Sequence, residues 1–231
     1  MYGKMEESGL TKIILMICMA MPLAAFPQKG GKTALSMQQQ GMVNVHTCDS
    51  TIQVELMYAK ADNFTGAVLY EDLLDAYLHP KAAKALAKAQ KHLRQKRPDL
   101  SLKIYDAARP MSIQQKMWDK VKGTKKNIYV SNPANGGGLH NYGMAVDITL
   151  CKLNGDTIPM GTVIDFLGKL AHIDNEAMLV KQKKVSQEAI NNRKLLREAM
   201  TFAGFKPLRT EWWHFNLCTR AEARRSYKVI K

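Results

Sequence analysis

The sequence predicts a single α+β domain, and three observations lead to this fold class. The chain has 231 residues, of which 46% are hydrophobic and 23% are charged, which is typical of one globular domain with a substantial core. Helical and strand periodicities both occur, and irregular loops join them. These segments do not alternate in a regular β–α–β order, so a parallel sheet with crossover helices is not expected. The composition also excludes disordered, collagenous and low-complexity chains.

Residues 1–25 have the pattern of a secretory signal peptide. A polar start with Lys4 and Lys12 precedes an apolar run at 13–26, which Pro22 interrupts shortly before two alanines. At 14 residues, this run is shorter than the roughly 20 that a bilayer-spanning helix needs. We therefore predict an exported bacterial protein, periplasmic or extracellular, with no stable membrane insertion after cleavage. A buried N-terminal helix is the alternative.

The next segment, residues 26–44, lacks hydrophobic periodicity and contains glycine and glutamine clusters. Such a composition predicts a flexible leader that precedes a folded domain at 45–231.

The net charge of the chain is +14, from 34 Lys and Arg against 20 Asp and Glu, and this charge would suit a polyanionic partner. The most basic segment, residues 81–97, has no aromatic side chains between its lysines. Because nucleic-acid surfaces combine basic and aromatic residues, we predict a solvated helix face and no nucleic-acid partner.

Three segments have helical periodicity. Residues 81–97 follow a proline, are rich in alanine, and set two leucines seven positions apart on one stripe. A second helix is predicted to begin near Ser112, which can cap it, and carries an apolar residue at every fourth position. The third helix spans 187–203 and ends before Gly204, a usual C-terminal stop.

Three other segments have the alternation of strands. The first, around residues 102–105, places Arg109 just beyond its end. The second, residues 143–150, places Asp147 on the face opposite to its apolar side chains. The third candidate strand is TEWWHFNLC at 210–218.

Two of these segments concentrate the side chains that a catalytic zinc site needs. GLHNYGMAVD contains His140 and Asp147, and EWWHF contains Glu211 and His214. Three protein ligands and one open position are the usual arrangement of catalytic zinc. Residues three apart on a regular strand face opposite sides, so Glu211 and His214 can serve one metal only if the backbone between them is irregular. By spacing alone, packed or surface histidines are an equal alternative.

The sequence resembles the zinc D-alanyl-D-alanine dipeptidases of the VanX type, in subfamily D of the M15 peptidases. The resemblance extends over most of the domain and rests on five ordered motifs: NFTG at 63–66, YDAARP at 105–110, LHNYGMAVDITL at 139–150, PMGTVID at 159–165, and NRKLLREAMTFAGFKPLRTEWWHFN at 192–216.

The resemblance implies a small antiparallel sheet flanked by helices, with one Zn²⁺ per chain bound in a cleft by His140, Asp147 and His214. It further implies that Glu211 is the general base and that Arg109 stabilises the oxyanion. Asp165 would receive the free amine of a small D-amino-acid dipeptide. The sequence departs from the family pattern at Gly138, where the family typically carries serine.

The predicted activity is thus zinc-dependent hydrolysis of D-alanyl-D-alanine, and several alternatives accompany it. One is a D,D-carboxypeptidase or endopeptidase that acts on longer peptidoglycan stems, and another is a non-catalytic, zinc-stabilised envelope-binding module. Arg109 could instead be an ion-paired surface residue, and Asp165 could cap a helix. The three cysteines that follow the signal peptide can form at most one disulfide.

Overall fold

The structure is a computed structural model that describes Met1 and residues 31–231. Residues 31–231 contain the following helices and strands in chain order: α1 Lys32–Gln39, β1 Val43–Asn44, β2 Gln53–Val54, β3 Tyr77–Leu78, α2 Pro80–Lys96, β4 Leu100–Asp106, α3 Met111–Val121, β5 Ala145–Lys152, α4 Glu176–Lys181, α5 Gln187–Phe202, β6 Lys206–Leu208, β7 Glu211–Asn216 and α6 Arg220–Ser226.

Five strands form the central sheet in the order β2–β4–β5–β7–β6. β2 runs parallel to β4, and the other neighbouring strands are antiparallel. β1 and β3 form a separate antiparallel pair. Helices α2 and α5 pack against each other, α2 also contacts β4, and α5 contacts β5. The predicted α+β class is confirmed, with a small and mostly antiparallel sheet.

The periodic segments form the predicted elements because each has one apolar face. Leu86 and Leu93 of α2 are fully buried, whereas the lysines of that helix are exposed to solvent. Val146 and Ile148 of β5 lie in the core with no exposed surface. Gly204 follows α5 with a φ of 97°, a left-handed conformation that glycine adopts without strain.

Helix α3 begins differently from the sequence prediction. Pro110 occupies its N-cap, and no side chain caps the helix, so the prediction that Ser112 caps it is wrong. The backbone N–H of Met111 donates to the carbonyl O of Ile230 at 2.9 Å. The C-terminal segment thus satisfies a donor that a capping side chain would otherwise satisfy.

The predicted flexible leader is folded wherever the structure describes it. Helix α1 buries Ala34 and Met37 against the core, and β1 pairs with β3. The N–H of Thr33 also donates to Asp72 Oδ2 at 3.1 Å. Because this segment buries apolar side chains and has tertiary contacts, the prediction of a flexible leader is wrong for residues 32–44. The predicted signal peptide, apart from Met1, lies outside the described residues.

The three cysteines of the described chain are free thiols, with Cys48 exposed and Cys151 and Cys218 buried. Within residues 31–231, no helix has both the length and the apolar character needed to cross a bilayer.

Candidate active site

The pairing of β5 with β7 brings together two of the predicted zinc ligands. Asp147 and His214 are direct partners in the antiparallel register. Directly opposite residues project from the same face of a sheet, so their side chains meet. His214 Nδ1 lies 2.9 Å from Asp147 Oδ1.

The third predicted ligand comes from a short 3₁₀ helix, Leu139–Tyr142, immediately before β5. Gly143 ends this helix at a φ of 65°, and an added Cβ there would lie 2.7 Å from the backbone N of His79. Glycine is therefore required at this turn into β5. His140 Nε2 lies 3.2 Å from His214 Nδ1 and 3.3 Å from Asp147 Oδ2.

These distances fit a bound metal ion. One ligand atom from each of the three buried residues lies within 4.8 Å of the other two. Ligand atoms placed about 2.0–2.2 Å from a tetrahedral ion are about 3.3–3.6 Å apart, close to the 2.9–3.3 Å found here.

Hydrogen bonds on the far sides of both imidazoles direct their lone pairs to this point. His140 Nδ1 lies 2.7 Å from the carbonyl O of Ala107, which can only accept, so Nδ1 carries the proton and Nε2 has the lone pair. His214 Nε2 lies 2.9 Å from Asn216 Oδ1, which leaves Nδ1 to face the other two ligands. Such outer contacts fix the tautomer and orientation of metal-binding histidines.

Asp147 is ionised at the centre of this group. Burial alone would raise the pKa of its carboxyl group, but the neighbouring His140 and His214 hold that pKa well below its ordinary value. The carboxylate is therefore in the form that binds a cation.

Glu211 reaches the same point because β7 is irregular, as the sequence predicts. Pro207 pairs with Phe215, whereas the next residue, Leu208, pairs with Glu211, so residues 212–214 have no partner on β6. This irregularity places Glu211 Oε2 3.9 Å from His214 Nδ1, although the two residues are three apart.

The Glu211 carboxyl group is buried, and its burial is the largest influence that raises its pKa to about 8. The carboxylates of Asp147 and Asp165 raise it further, and His214 opposes them. A carboxyl group with a pKa near neutrality can both accept and donate a proton in that range.

Arg109 is a buried residue rather than a surface arginine. Its Nε donates to Asp106 Oδ2 at 2.8 Å, its Nη1 donates to Gln114 Oε1 at 2.9 Å, and Nη2 lies 3.8 Å from Asp147 Oδ2. Tyr70 OH donates to the other oxygen of Asp106 at 2.7 Å. The guanidinium group is thus held beside the candidate metal ligands by groups that lie on the β4–α3 side of the site.

Asp165 lies in the loop between β5 and α4, in the left-handed region with a φ of 62°. Tyr58 OH donates to its Oδ2 at 2.6 Å, and burial raises the pKa of its carboxyl group to about 7. The next helical turn begins at Lys169 with Gly168 as its N-cap, so the alternative that Asp165 caps a helix is wrong. A non-glycine residue at positive φ is uncommon and frequently marks a functional position.

All six predicted site residues line one cavity of about 670 Å³: His140, Asp147, His214, Glu211, Arg109 and Asp165. Sequence reasoning missed the groups that orient them, notably Tyr58, Gln114 and Asn216. Asp106 has a sequence signal, since it stands three residues before Arg109 in YDAARP. Tyr58 has none, because its contact with Asp165 joins positions 107 residues apart.

Gly138 also lines this cavity, opposite Ser131. A Cβ added at Gly138 would lie 2.9 Å from Ser131 Oγ and 3.3 Å from Ser131 Cβ. The side chain of Ser131 therefore occupies the space next to the position at which the family typically carries serine.

Comparison with known proteins agrees with this geometry. Residues 38–231 match the M15 peptidase family, described as D-ala-D-ala dipeptidase. The chain is 34% identical over 166 residues to the D-alanyl-D-alanine dipeptidase of Escherichia coli K12, and this alignment covers 72% of this chain and 79% of that protein. It is 26% identical over 186 residues to the D-alanyl-D-alanine dipeptidase of Enterococcus faecalis V583, and this alignment covers 72% of this chain and 86% of that protein.

A D-alanyl-D-alanine dipeptidase of Synechocystis is 30% identical over 163 residues, or 58% of this chain and 66% of that protein. The family match covers the whole cavity, including all of the motifs around its buried histidines and carboxylates. The chain therefore belongs to the M15 peptidases of the D-alanyl-D-alanine dipeptidase family.

Proposed function

We propose that this chain is a zinc-dependent dipeptidase that hydrolyses D-alanyl-D-alanine. The observation that carries the proposal is the convergence of two imidazole lone pairs and one ionised carboxylate on a single point, with Glu211 beside them. Family membership and the names of the relatives support the choice of substrate.

One zinc ion per chain would be held by His140, Asp147 and His214, since two nitrogen ligands and one oxygen ligand suit this cation. When bound, zinc supplies a Lewis acid for the substrate carbonyl and lowers the pKa of a water molecule.

The protein side chains provide the remaining functions. Glu211 accepts a proton from the attacking water and passes it to the nitrogen of the leaving D-alanine. Arg109 stabilises the negative charge that develops on the carbonyl oxygen, with its guanidinium held by Asp106 and Gln114. Because this group is already oriented before substrate binds, little reorganisation accompanies the reaction.

Asp165 binds the ammonium group of the substrate. Its carboxylate lies in the same cavity and is oriented by Tyr58. An ammonium ion would offset the unfavourable burial of this charge through a charge-assisted hydrogen bond.

Metal analysis and a chelation assay test the zinc site. We expect about one zinc per chain, and we expect chelation to abolish D-alanine release from D-alanyl-D-alanine until zinc is restored. Full activity in protein that contains no bound metal would contradict the proposal.

Substrate length is tested by comparing D-alanyl-D-alanine with its N-acetyl form. A charge-assisted bond from Asp165 corresponds to a preference for the free dipeptide of about tenfold to hundredfold in kcat/KM. The Asp165→Asn variant should lose most of this preference while it keeps its zinc. Equal kcat/KM values for both substrates in the unmodified protein would favour a carboxypeptidase that acts on longer stem peptides.

The export proposal rests on the sequence of residues 1–25. N-terminal sequencing of the protein from the extracytoplasmic fraction should find a start close to residue 26. An intact Met1 in protein that remains in the cytoplasm would contradict it.

A further inference from the structure

The cavity has one cationic side chain that the proposed mechanism does not use. Among the described residues that line it, the lysines and arginines are Arg109 and Arg220. Arg109 is neutralised by Asp106 and lies near Asp147. Arg220, at the start of α6, is exposed to solvent and forms no ion pair with any carboxylate of residues 31–231, so its charge is free to pair with a ligand.

A hydroxyl group accompanies this charge. Arg220 Nη2 donates to Ser131 Oγ at 2.7 Å. The Ser131 hydroxyl donates to no described residue, so it can donate a hydrogen bond to a ligand in the cavity. Gln114 Nε2 donates to Ser131 O at 2.8 Å and holds the backbone of this residue in place. Gly138 has no side chain, which leaves space for the Ser131 hydroxyl.

A continuous series of contacts joins this pair to Asp165. Tyr58 OH donates to Asp165, and the guanidinium of Arg109 lies 5.4 Å from the centre of the Tyr58 ring. Arg109 then donates to Gln114, which donates to Ser131. The cavity therefore contains an acidic group, Asp165, and a separate cationic group, Arg220, and Arg109 beside the candidate metal ligands belongs to the contacts that join them.

We propose that Arg220 and Ser131 bind the C-terminal carboxylate of the dipeptide substrate. This inference rests on the proposed function, and it assigns the second charged end of the zwitterion whose ammonium end is assigned to Asp165. An arginine and a hydroxyl donor are chemically suited to a carboxylate, and a D,D-dipeptide has one such group. Asp165, Arg109 and this pair line one cavity, so a single bound dipeptide can contact all of them.

The test compares D-alanyl-D-alanine with its C-terminal amide in the zinc-loaded, full-length protein. The unmodified enzyme should prefer the free acid by about tenfold or more in kcat/KM, as expected for a charge-assisted contact that solvent partly screens. Arg220→Gln should abolish this preference by raising KM for the acid, with kcat and the hydrolysis of the amide nearly unchanged. Ser131→Ala should remove a smaller part of the preference.

Arg225→Gln is the matched control, because Arg225 is an exposed arginine of the same helix and does not line the cavity. It removes the same charge and should leave both substrates unaffected. Equal losses on acid and amide in Arg220→Gln, or an intact preference for the acid, would overturn the assignment. Failure of the proposed function itself would be distinct, since the unmodified enzyme would then hydrolyse neither substrate.

Discussion

The side of the cavity formed by β5 and β7 and the loop that carries Asp165 are built in opposite ways. On this strand side, Asp147 and His214 are paired residues of adjacent strands, so the register of the sheet determines their distance. On the other side, Asp165 lies outside regular structure and in a left-handed backbone conformation. Strand pairing cannot hold this carboxylate in place, and other contacts must do so.

Arg193 of α5 contacts this loop on both sides of Asp165. Its Nε donates to the carbonyl O of Met160 at 2.7 Å, and its Nη2 donates to that of Leu170 at 3.1 Å. These two carbonyls lie before and after Asp165. The guanidinium carbon also lies 5.5 Å from the centre of the Trp212 ring, next to the irregular part of β7.

This difference predicts that metal binding and substrate selection can be changed separately. Variants on the strand side should alter zinc affinity or chemistry, whereas variants that affect the loop should alter selectivity and KM.

The largest expected effect is that of Glu211→Gln. The amide keeps the shape of the side chain but cannot act as a base, so kcat should fall by about 10²–10⁴-fold. Zinc content should remain near that of the unmodified protein, because the three-ligand group does not include Glu211. Measurement of kcat and of zinc on the same preparation checks both statements. Loss of zinc together with activity would make Glu211 a metal ligand.

The sequence predicts the strand side of the site well, and the reasons are physical. Alternation in β5 assigns Asp147 to the face opposite the core, and the spacing of Glu211 and His214 requires the irregular β7 that the structure has. These features depend on local geometry, which periodicity reports.

The loop side could not be predicted in the same way. The contact of Tyr58 with Asp165 and that of Arg193 with Met160 join distant positions through single side chains. The folded state of residues 32–44 is hard to predict for a related reason, since α1 is short and buries only Ala34 and Met37. Their order comes from tertiary packing, which hydrophobic periodicity in so short a segment does not reveal.

The titration of Asp165 gives a second prediction, for metal-free protein. Burial raises the pKa of its carboxyl group from 3.8 to about 7, and Asp147 adds to this effect, while Tyr58 and Arg109 oppose it. Between about pH 4 and 7 the folded state therefore binds a proton that the unfolded state has released. The protonated carboxyl group therefore adds most to the free energy of unfolding below about pH 4, where the carboxyl group is protonated in the unfolded chain as well. This contribution is lost as the pH rises through about 7, the pKa of Asp165 in the folded protein.

The Asp165→Asn variant should remove this dependence. Asparagine tolerates the left-handed region and can still accept from Tyr58, but it does not ionise. The free energy of unfolding of the variant should exceed that of the unmodified protein by about 2–4 kcal/mol at pH 8, and the difference should shrink toward pH 4. Urea unfolding of chelated protein across this range measures it. A difference that does not vary with pH would show that ionisation of Asp165 is not its cause.

The smallest expected effect is that of Arg193→Met, which tests the restraint on the loop directly. Methionine keeps an apolar stem but removes both hydrogen bonds to the loop carbonyls. Asp165 would then occupy its strained conformation for only part of the time. If that fraction is one tenth, KM for D-alanyl-D-alanine rises about tenfold, with kcat and zinc content little changed.

Arg197→Met is the matched control for this experiment. Arg197 lies on the same helix and donates to Glu176, which is also 3.8 Å from Arg193 Nη1, but it has no hydrogen bond to the loop carbonyls in the described structure. Its removal should affect stability without raising KM. Arg193→Lys should recover little of the loss, because a single ammonium group does not reproduce the planar fork that spans two carbonyls. A similar KM in Arg193→Met and Arg197→Met would mean that contacts other than Arg193 hold Asp165 in its left-handed conformation.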